Sequence, residues 1–166
     1  MAEISLARID DRLVHGQVVT KWIQGTKSNR VVIVDDAVAK NAFLVDVYQM
    51  AAPMGVKVSV KSAEQAGKEW AENQWGTGTV LALFKNPQAV QAACDSGLNI
   101  SSLQVAGMGS ATGKKVVFKT VSMSEDDARS LKALGERGVR VYFQALPEDK
   151  PMDLESILKK HFKELA

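Results

Sequence analysis

Short runs of β-branched and aliphatic residues alternate along this chain with segments whose apolar positions recur at helical spacing. That alternation predicts an α/β fold with an open, mainly parallel seven-stranded sheet and helices on both faces. Strands are predicted over Ile4 to Asp10, Arg30 to Asp35, Val56 to Lys61, Thr79 to Phe84, Leu103 to Ala106, Val116 to Val121 and Val139 to Phe143. Runs such as VVIV and VLALF carry no polar alternation, as expected of strands covered on both faces. Val14, Val18, Val19, Trp22 and Ile23 predict a first helix over residues 15 to 24, stopped by Gly25. A second is expected over 37 to 52, before Pro53-Met54-Gly55, and a third from a Ser62 cap to Trp75. Pro87 opens a fourth that ends near Gly97, and Ser124 with three following acids opens a fifth that ends before Gly138. Asp153 caps a last helix to about Leu165. One junction breaks the alternation: the nine residues Gly107 to Lys115 are too few for a crossover helix. The sixth strand is therefore expected to run antiparallel to the fifth.

The 166 residues suit one domain over 1–166. Lys and Arg number 21 against 19 Asp and Glu, so the net charge of +2 is too small for nucleic-acid binding through a bulk field. The longest uninterrupted apolar run is Val80 to Phe84, far short of the ~20 residues of a membrane span, which predicts a soluble, cytoplasmic protein. Cys94 is the one cysteine and belongs to no CxxC pair, so an internal disulfide and a structural zinc site are both excluded. Any charge that matters must be local.

It concentrates in the first strand-to-helix loop, where open parallel sheets place their ligands. Arg8, Asp10, Asp11, Arg12 and His15 crowd the switch from strand to helix, with Gly16 and Gln17 at the helix N-terminus, where free backbone N–H groups are expected. Neutral imidazole is a credible phosphoryl acceptor near pH 7. Arg8 and Arg12 are expected to hold phosphate oxygens, Asp10 or Asp11 to orient the imidazole or the arginines, and Gly16 to let the backbone approach the phosphoryl group. The bland alternative is a capping histidine beside two surface ion pairs.

A resemblance separates the two. The segment LARIDDRLVHGQVVTKW fills every position of R-[IV]-D-[DE]-R-L-[IV]-H-G-Q-V, the signature of the IIB subunits of the mannose/fructose/sorbose family of the bacterial phosphoenolpyruvate-dependent sugar phosphotransferase system. The similarity continues through Val31 to Asp36, Ala51-Ala52-Pro53, Leu83 to Pro87, Ala106-Gly107-Met108, Gly113-Lys114-Lys115 and Val121 to Gly138. This resemblance implies His15 as the phosphorylated residue, through Nδ1, with Arg8, Asp10 and Arg12 around it and the loop backbone of Leu13, Val14, Gly16 and Gln17 on the phosphate. It implies a IIA phosphoryl donor as a separate chain, membrane IIC and IID subunits, a sugar acceptor, and no metal or other cofactor. The ending Val141 to Pro147 is slightly more similar to N-acetylgalactosamine-type members.

Other features yield to plainer readings. Asp35 and Asp36 follow a strand as receiver-domain acids do, yet strands three and four end in Lys61 and Lys85, with no acceptor carboxylate. These two acids, with Asn86, Gly107, Met108 and Lys114, are expected along the rim of the site. Gly107 to Lys115 fails the Walker pattern at Met108 and at Lys115, against a nucleotide enzyme. His161 lies among lysines without a partner at metal spacing, and Cys94, Trp22, Trp70 and Trp75 read as packing residues. From a different class, the alternative is a non-enzymatic phosphate- or nucleotide-responsive module that uses the same cationic loop.

Overall fold

The computed structural model describes residues 1–166. Its main sheet has seven strands in the order β3-β2-β4-β1-β5-β8-β9, where β1 is Glu3–Asp10, β2 Arg30–Val34, β3 Lys57–Lys61, β4 Thr79–Phe84, β5 Ser102–Gly107, β8 Arg140–Phe143 and β9 Met152–Asp153. All neighbours pair parallel except β8 and β9. The helices are α1 (Asp36–Ala39), α2 (Ala42–Met50), α3 (Ala63–Asn73), α4 (Pro87–Asp95), α5 (Glu125–Glu136) and α6 (Leu154–His161), with a π-helix over Val18–Ile23.

Side-chain alternation sorts the buried residues into two cores. Val32, Val34, Val80, Ala82 and Phe84 face one, which α3, α4, α5 and α6 cover. Val31, Ile33, Leu81 and Leu83 face the other, under the π-helix and α1, with Leu44 and Tyr48 of α2 packed against it. Both faces are therefore dry, which is why β2 and β4 read as continuous apolar runs. From β1 the chain crosses outward to β2 through the π-helix on one face, and from β4 it crosses to β5 through α4 on the other. Strands β1 and β4 are neighbours whose following segments leave over opposite faces, and that parting leaves a crevice at the carboxyl end of β1.

The antiparallel strand is not the expected one. Residues 115 to 123 form a separate hairpin, β6 (Lys115–Phe118) with β7 (Val121–Met123), which meets the end of β5 through a bridge from Met108 to Val121 and a hydrogen bond from Thr120 Oγ1 to Ala106 O at 2.6 Å. The reason is that β5 has β1 on one side and β8 on the other, which leaves no edge for it to join. The antiparallel role falls to β9, two residues that periodicity cannot register. The first helix is π rather than α, and it does not end on a left-handed glycine: the turn after Ile23 runs on to Lys27, with φ +54°. The expected helix over 37 to 52 is two helices, because Asn41 takes extended backbone and caps α2 through Leu44 N–H. The Ser62, Pro87, Ser124 and Asp153 starts fall as read, Ser124 within a capping box with Asp127.

Two helical glycines predict opposite outcomes for the same substitution. A Cβ on Gly67 of α3 would lie 2.5 Å from both Ala93 O and Ser96 Cβ of the facing helix. Overpacking of ~1–3 kcal/mol then exceeds the ~1 kcal/mol gain in helix propensity, so Gly67→Ala should lower the melting temperature. On Gly135 of α5 the nearest atom is Leu154 Cδ2 at 3.8 Å, and Gly135→Ala should raise it. Thermal denaturation of both variants checks the pair of signs.

Candidate active site

The apolar strand β1 ends in two buried charges. Arg8 and Asp10 point to the same side by the two-residue period, and both are fully buried. Their guanidinium and carboxylate meet at 3.1 Å, Arg8 Nη2 donating to Asp10 Oδ2. Arg8 Nη1 donates to Gln104 Oε1 at 2.6 Å and to Ala145 O at 3.2 Å, while Nε has no partner. Its carbon lies 5.1 Å from the Trp22 ring centroid, a cation–π contact that replaces part of the lost hydration. Burial pulls the Arg8 pKa down and the Asp10 charge and hydrogen bond pull it back, so the guanidinium remains charged.

Beyond β1 the chain turns sharply, with Leu13 N–H donating to Asp10 O at 2.9 Å. Leu13 has φ +57°, the left-handed region that costs a non-glycine residue ~1–2 kcal/mol. Its fully buried side chain in the second core holds that geometry. The turn carries the chain back over Asp10. Arg12 donates to Asp10 Oδ1 from its backbone N–H at 3.1 Å and from Nε at 3.3 Å, and His15 Nε2 lies 3.0 Å from Asp10 Oδ2. One carboxylate thus organises both arginines and the imidazole. Burial pushes the Asp10 carboxyl up, but the hydrogen bonds from His15 and Arg12 and the Arg8 charge outweigh it and hold the group below the usual carboxylate range. The neighbouring strand must yield to it: a Cβ on Gly107 would sit 2.9 Å from Asp10 Oδ1.

Arg12 and His15 reach the surface, with side chains 52% and 17% exposed. Around them the backbone N–H groups of Val14, Gly16 and Gln17 have no acceptor within the chain, whereas that of Leu13 is taken by Asp10 O. A Cβ on Gly16 would meet nothing within 4 Å, so folding does not demand glycine there. Several expectations change. Arg8 lies under Asp10 and holds no exposed anion, because a strand's alternation shows which residues share a face but not whether that face is open. Leu13 offers no free donor. Lys114 turns away to Asp127, at 3.6 Å.

Gly107 and Met108 do join Arg12, in a groove of about 340 Å³ with Asp11, Gly109, Ser110, Lys119, Thr120 and Ser122. Asp11 accepts Gly109 N–H at 2.6 Å, so it braces that groove and leaves the imidazole to Asp10. Asp35, Asp36 and Asn86 line a different crevice, of about 420 Å³, and each caps backbone: Asp35 at Val38, Asp36 at Ala63 and Asn86 at Ala89. Gln104 was missed by sequence reasoning. A glutamine inside the apolar strand SLQVAG was the signal available. Trp22 was read as packing alone, yet its Nε1 also donates to Ala145 O at 3.0 Å. No group of three or more His, Cys, Asp or Glu side chains converges as a metal site would require.

A doubly wound sheet that presses a histidine against a buried carboxylate, beside an open arginine and unpaired N–H groups, belongs to the class of open α/β proteins whose polar groups gather at the carboxyl end of the first strand. Comparison with known proteins makes the class specific. Residues 4–166 match the PTS system sorbose subfamily IIB component family, and the chain belongs to it. It is 35% identical to the sorbose-specific EIIB component of Klebsiella pneumoniae, over 92% of this chain and 93% of that one. With the fructose-specific EIIB component of Bacillus subtilis it shares 31%, over 96% and 98%. The crystal structure of the IIBSor domain from Klebsiella pneumoniae superposes with a TM-score of 0.89 at 33% identity, covering 96% of this chain and 98% of that one. An N-acetylgalactosamine-specific IIB component of Escherichia coli is 28% identical, so overall similarity lends no weight to the hint read from the C-terminal strand. Family membership also leaves the nucleotide-responsive module without support.

The depressed Asp10 pKa predicts a pH signature. Its stabilising contribution is complete above the unfolded value near 3.9 and is lost as pH falls through the lower folded value. Asp10→Asn strands the buried Arg8 charge and should cost about 3 kcal/mol or more at pH 7 in urea denaturation. That gap should narrow as the pH drops below about 4.

Proposed function

We propose that residues 1–166 act as one IIB phosphotransferase unit that accepts a phosphoryl group on Nδ1 of His15 from a phosphorylated IIA protein and passes it to a sugar hydroxyl. The observation that carries this reading is the 3.0 Å contact between His15 Nε2 and Asp10 Oδ2. A carboxylate that already accepts from two arginines and has its pKa depressed is ionised and can only accept. Nε2 therefore keeps the proton, and the lone pair lies on Nδ1. That nitrogen attacks phosphorus while the bond from phosphorus to its donor atom on IIA breaks. In the second transfer a sugar oxygen attacks, the P–Nδ1 bond breaks and the hydroxyl proton is released.

The chain's contribution is position and charge. Arg12 is tied to Asp10 on one edge and exposed on the other, which suits it to equatorial phosphoryl oxygens as charge builds. The unpaired N–H groups of Val14, Gly16 and Gln17 supply neutral donors on the same side. Since folding does not require glycine at position 16, close approach of the phosphoryl group is the reason we assign to it. Partner choice follows the family: a IIA donor, consistent with the mannose-specific EIIAB component of Escherichia coli, half of which this chain spans at 32% identity, and membrane IIC and IID subunits that present the sugar. A cytoplasmic position beside that transporter fits a chain in which no helix is long and apolar enough to cross a membrane.

His15→Gln should fold normally yet gain no phosphoryl mass, acid-labile and base-stable, from phosphorylated IIA. Label on another residue of that variant would sink the assignment. Arg12→Ala should slow transfer by about 10²-fold, measured by rapid quench, while changing stability by less than about 1 kcal/mol because the side chain is half exposed.

A further inference from the structure

Behind Asp10 the hydrogen bonds continue inward along a path whose polarity is forced. Arginine has donors only, so Gln104, fully buried in β5, must turn its Oε1 to Arg8 Nη1 at 2.6 Å. Its Nε2 then faces away from Arg8 and donates to Gln144 Oε1 at 3.2 Å. Gln144 is thereby set as well: its own Nε2 donates to Asp149 O at 3.2 Å and Pro147 O at 3.4 Å, in the loop that follows β8. The same loop supplies Ala145 O, which accepts from both Arg8 and Trp22. Asp149 closes the loop on itself through the N–H groups of Ala145 and Leu146, and pairs with Lys119 of the groove beside Arg12. A reversed amide at Gln104 would set donor against donor at Arg8, and one at Gln144 would set acceptor against acceptor at the loop carbonyls.

We infer that Gln104 and Gln144 are positioning residues for phosphoryl transfer: through Arg8 they fix the Asp10 carboxylate so that Oδ2 holds the His15 Nε2 proton and leaves Nδ1 as the nucleophile. Neither glutamine is hydrogen-bonded to His15. Their effect passes through a guanidinium that has an unpartnered Nε and therefore depends on its remaining contacts to keep its orientation. Gln104 in particular supplies the shortest of these. Loss of that contact leaves Nη1 with Ala145 O alone, and the guanidinium that fixes the plane of the Asp10 carboxylate can tilt.

This inference rests on the proposed role of His15 but is read first without any phosphoryl donor. In the full-length, unphosphorylated, ¹⁵N-labelled chain at neutral to mildly alkaline pH, long-range ¹H–¹⁵N spectra report which His15 nitrogen bears the proton. The wild type should show Nε2–H alone. Gln104→Leu, which has similar volume but no amide, should show the signature of mixed tautomers. Its transfer rate from phosphorylated IIA should fall about tenfold with KM unchanged, the pattern of lost orientation rather than lost docking. Gln144→Leu, at a half-buried position that leaves the core intact, should shift both readouts in the same direction by less. A single Nε2–H tautomer in both variants, or an altered tautomer with wild-type transfer, would overturn the inference. Absence of transfer in the wild type would instead overturn the role of His15 and leave the tautomer result standing.

Discussion

The ion pair of Arg8 and Asp10 is the constraint around which the carboxyl end of this sheet is arranged. Two charges at the end of the central strand, neither reached by water, each carry a desolvation cost of several kcal/mol that Coulomb attraction alone rarely repays. Their surroundings repay it in pieces. Strand β5 contributes Gln104 and the bare Cα of Gly107, the loop after β8 contributes Ala145 O, the π-helix contributes the face of Trp22, and the first loop folds back to contribute Arg12 and His15. The His15 imidazole is thus one of several ligands that a buried carboxylate requires. Its orientation follows from a requirement of folding.

The left-handed Leu13 belongs to the same economy. A turn through extended or right-handed backbone would send the chain away from the sheet, whereas this one returns His15 to Asp10 within five residues. The strain is held by a fully buried leucine, so the second core and the site share a residue. The π-helix that follows gives Trp22 a contact with Ala145 O and Arg8 while Val18 and Ile23 stay buried. Wide helical turns of this kind recur where a side chain must be placed off the ordinary helical spacing.

Much of this was legible in the residues. Strands such as β2 and β4 announced burial on both faces, four helix starts carried cap residues, and a loop with five ionisable groups at the end of the first strand marked the site. What stayed hidden depends on partners distant in sequence. Whether Arg8 faces water or Gln104 is decided by β5, whether β6 joins the sheet is decided by β8, and the break at Asn41 is one residue's backbone choice within an otherwise helical pattern. Gln104 shows the limit most directly. Its polarity amid valine and leucine was visible, but its meaning needed Arg8 96 positions earlier in the chain.

The two edges of the sheet carry a consequence for how this chain meets other proteins. Open sheets expose unpaired backbone at their outer strands, a template on which other chains can aggregate. Here one border is β9, whose two residues offer too short a run to recruit a foreign strand before the chain turns into α6. The other is β3, KVSVK, with a lysine at each end. Lys61 is neutralised by Glu69 at 2.6 Å, so it is the exposed Lys57 that an added strand would have to cover. The outermost strands thereby discourage indiscriminate addition of foreign strands.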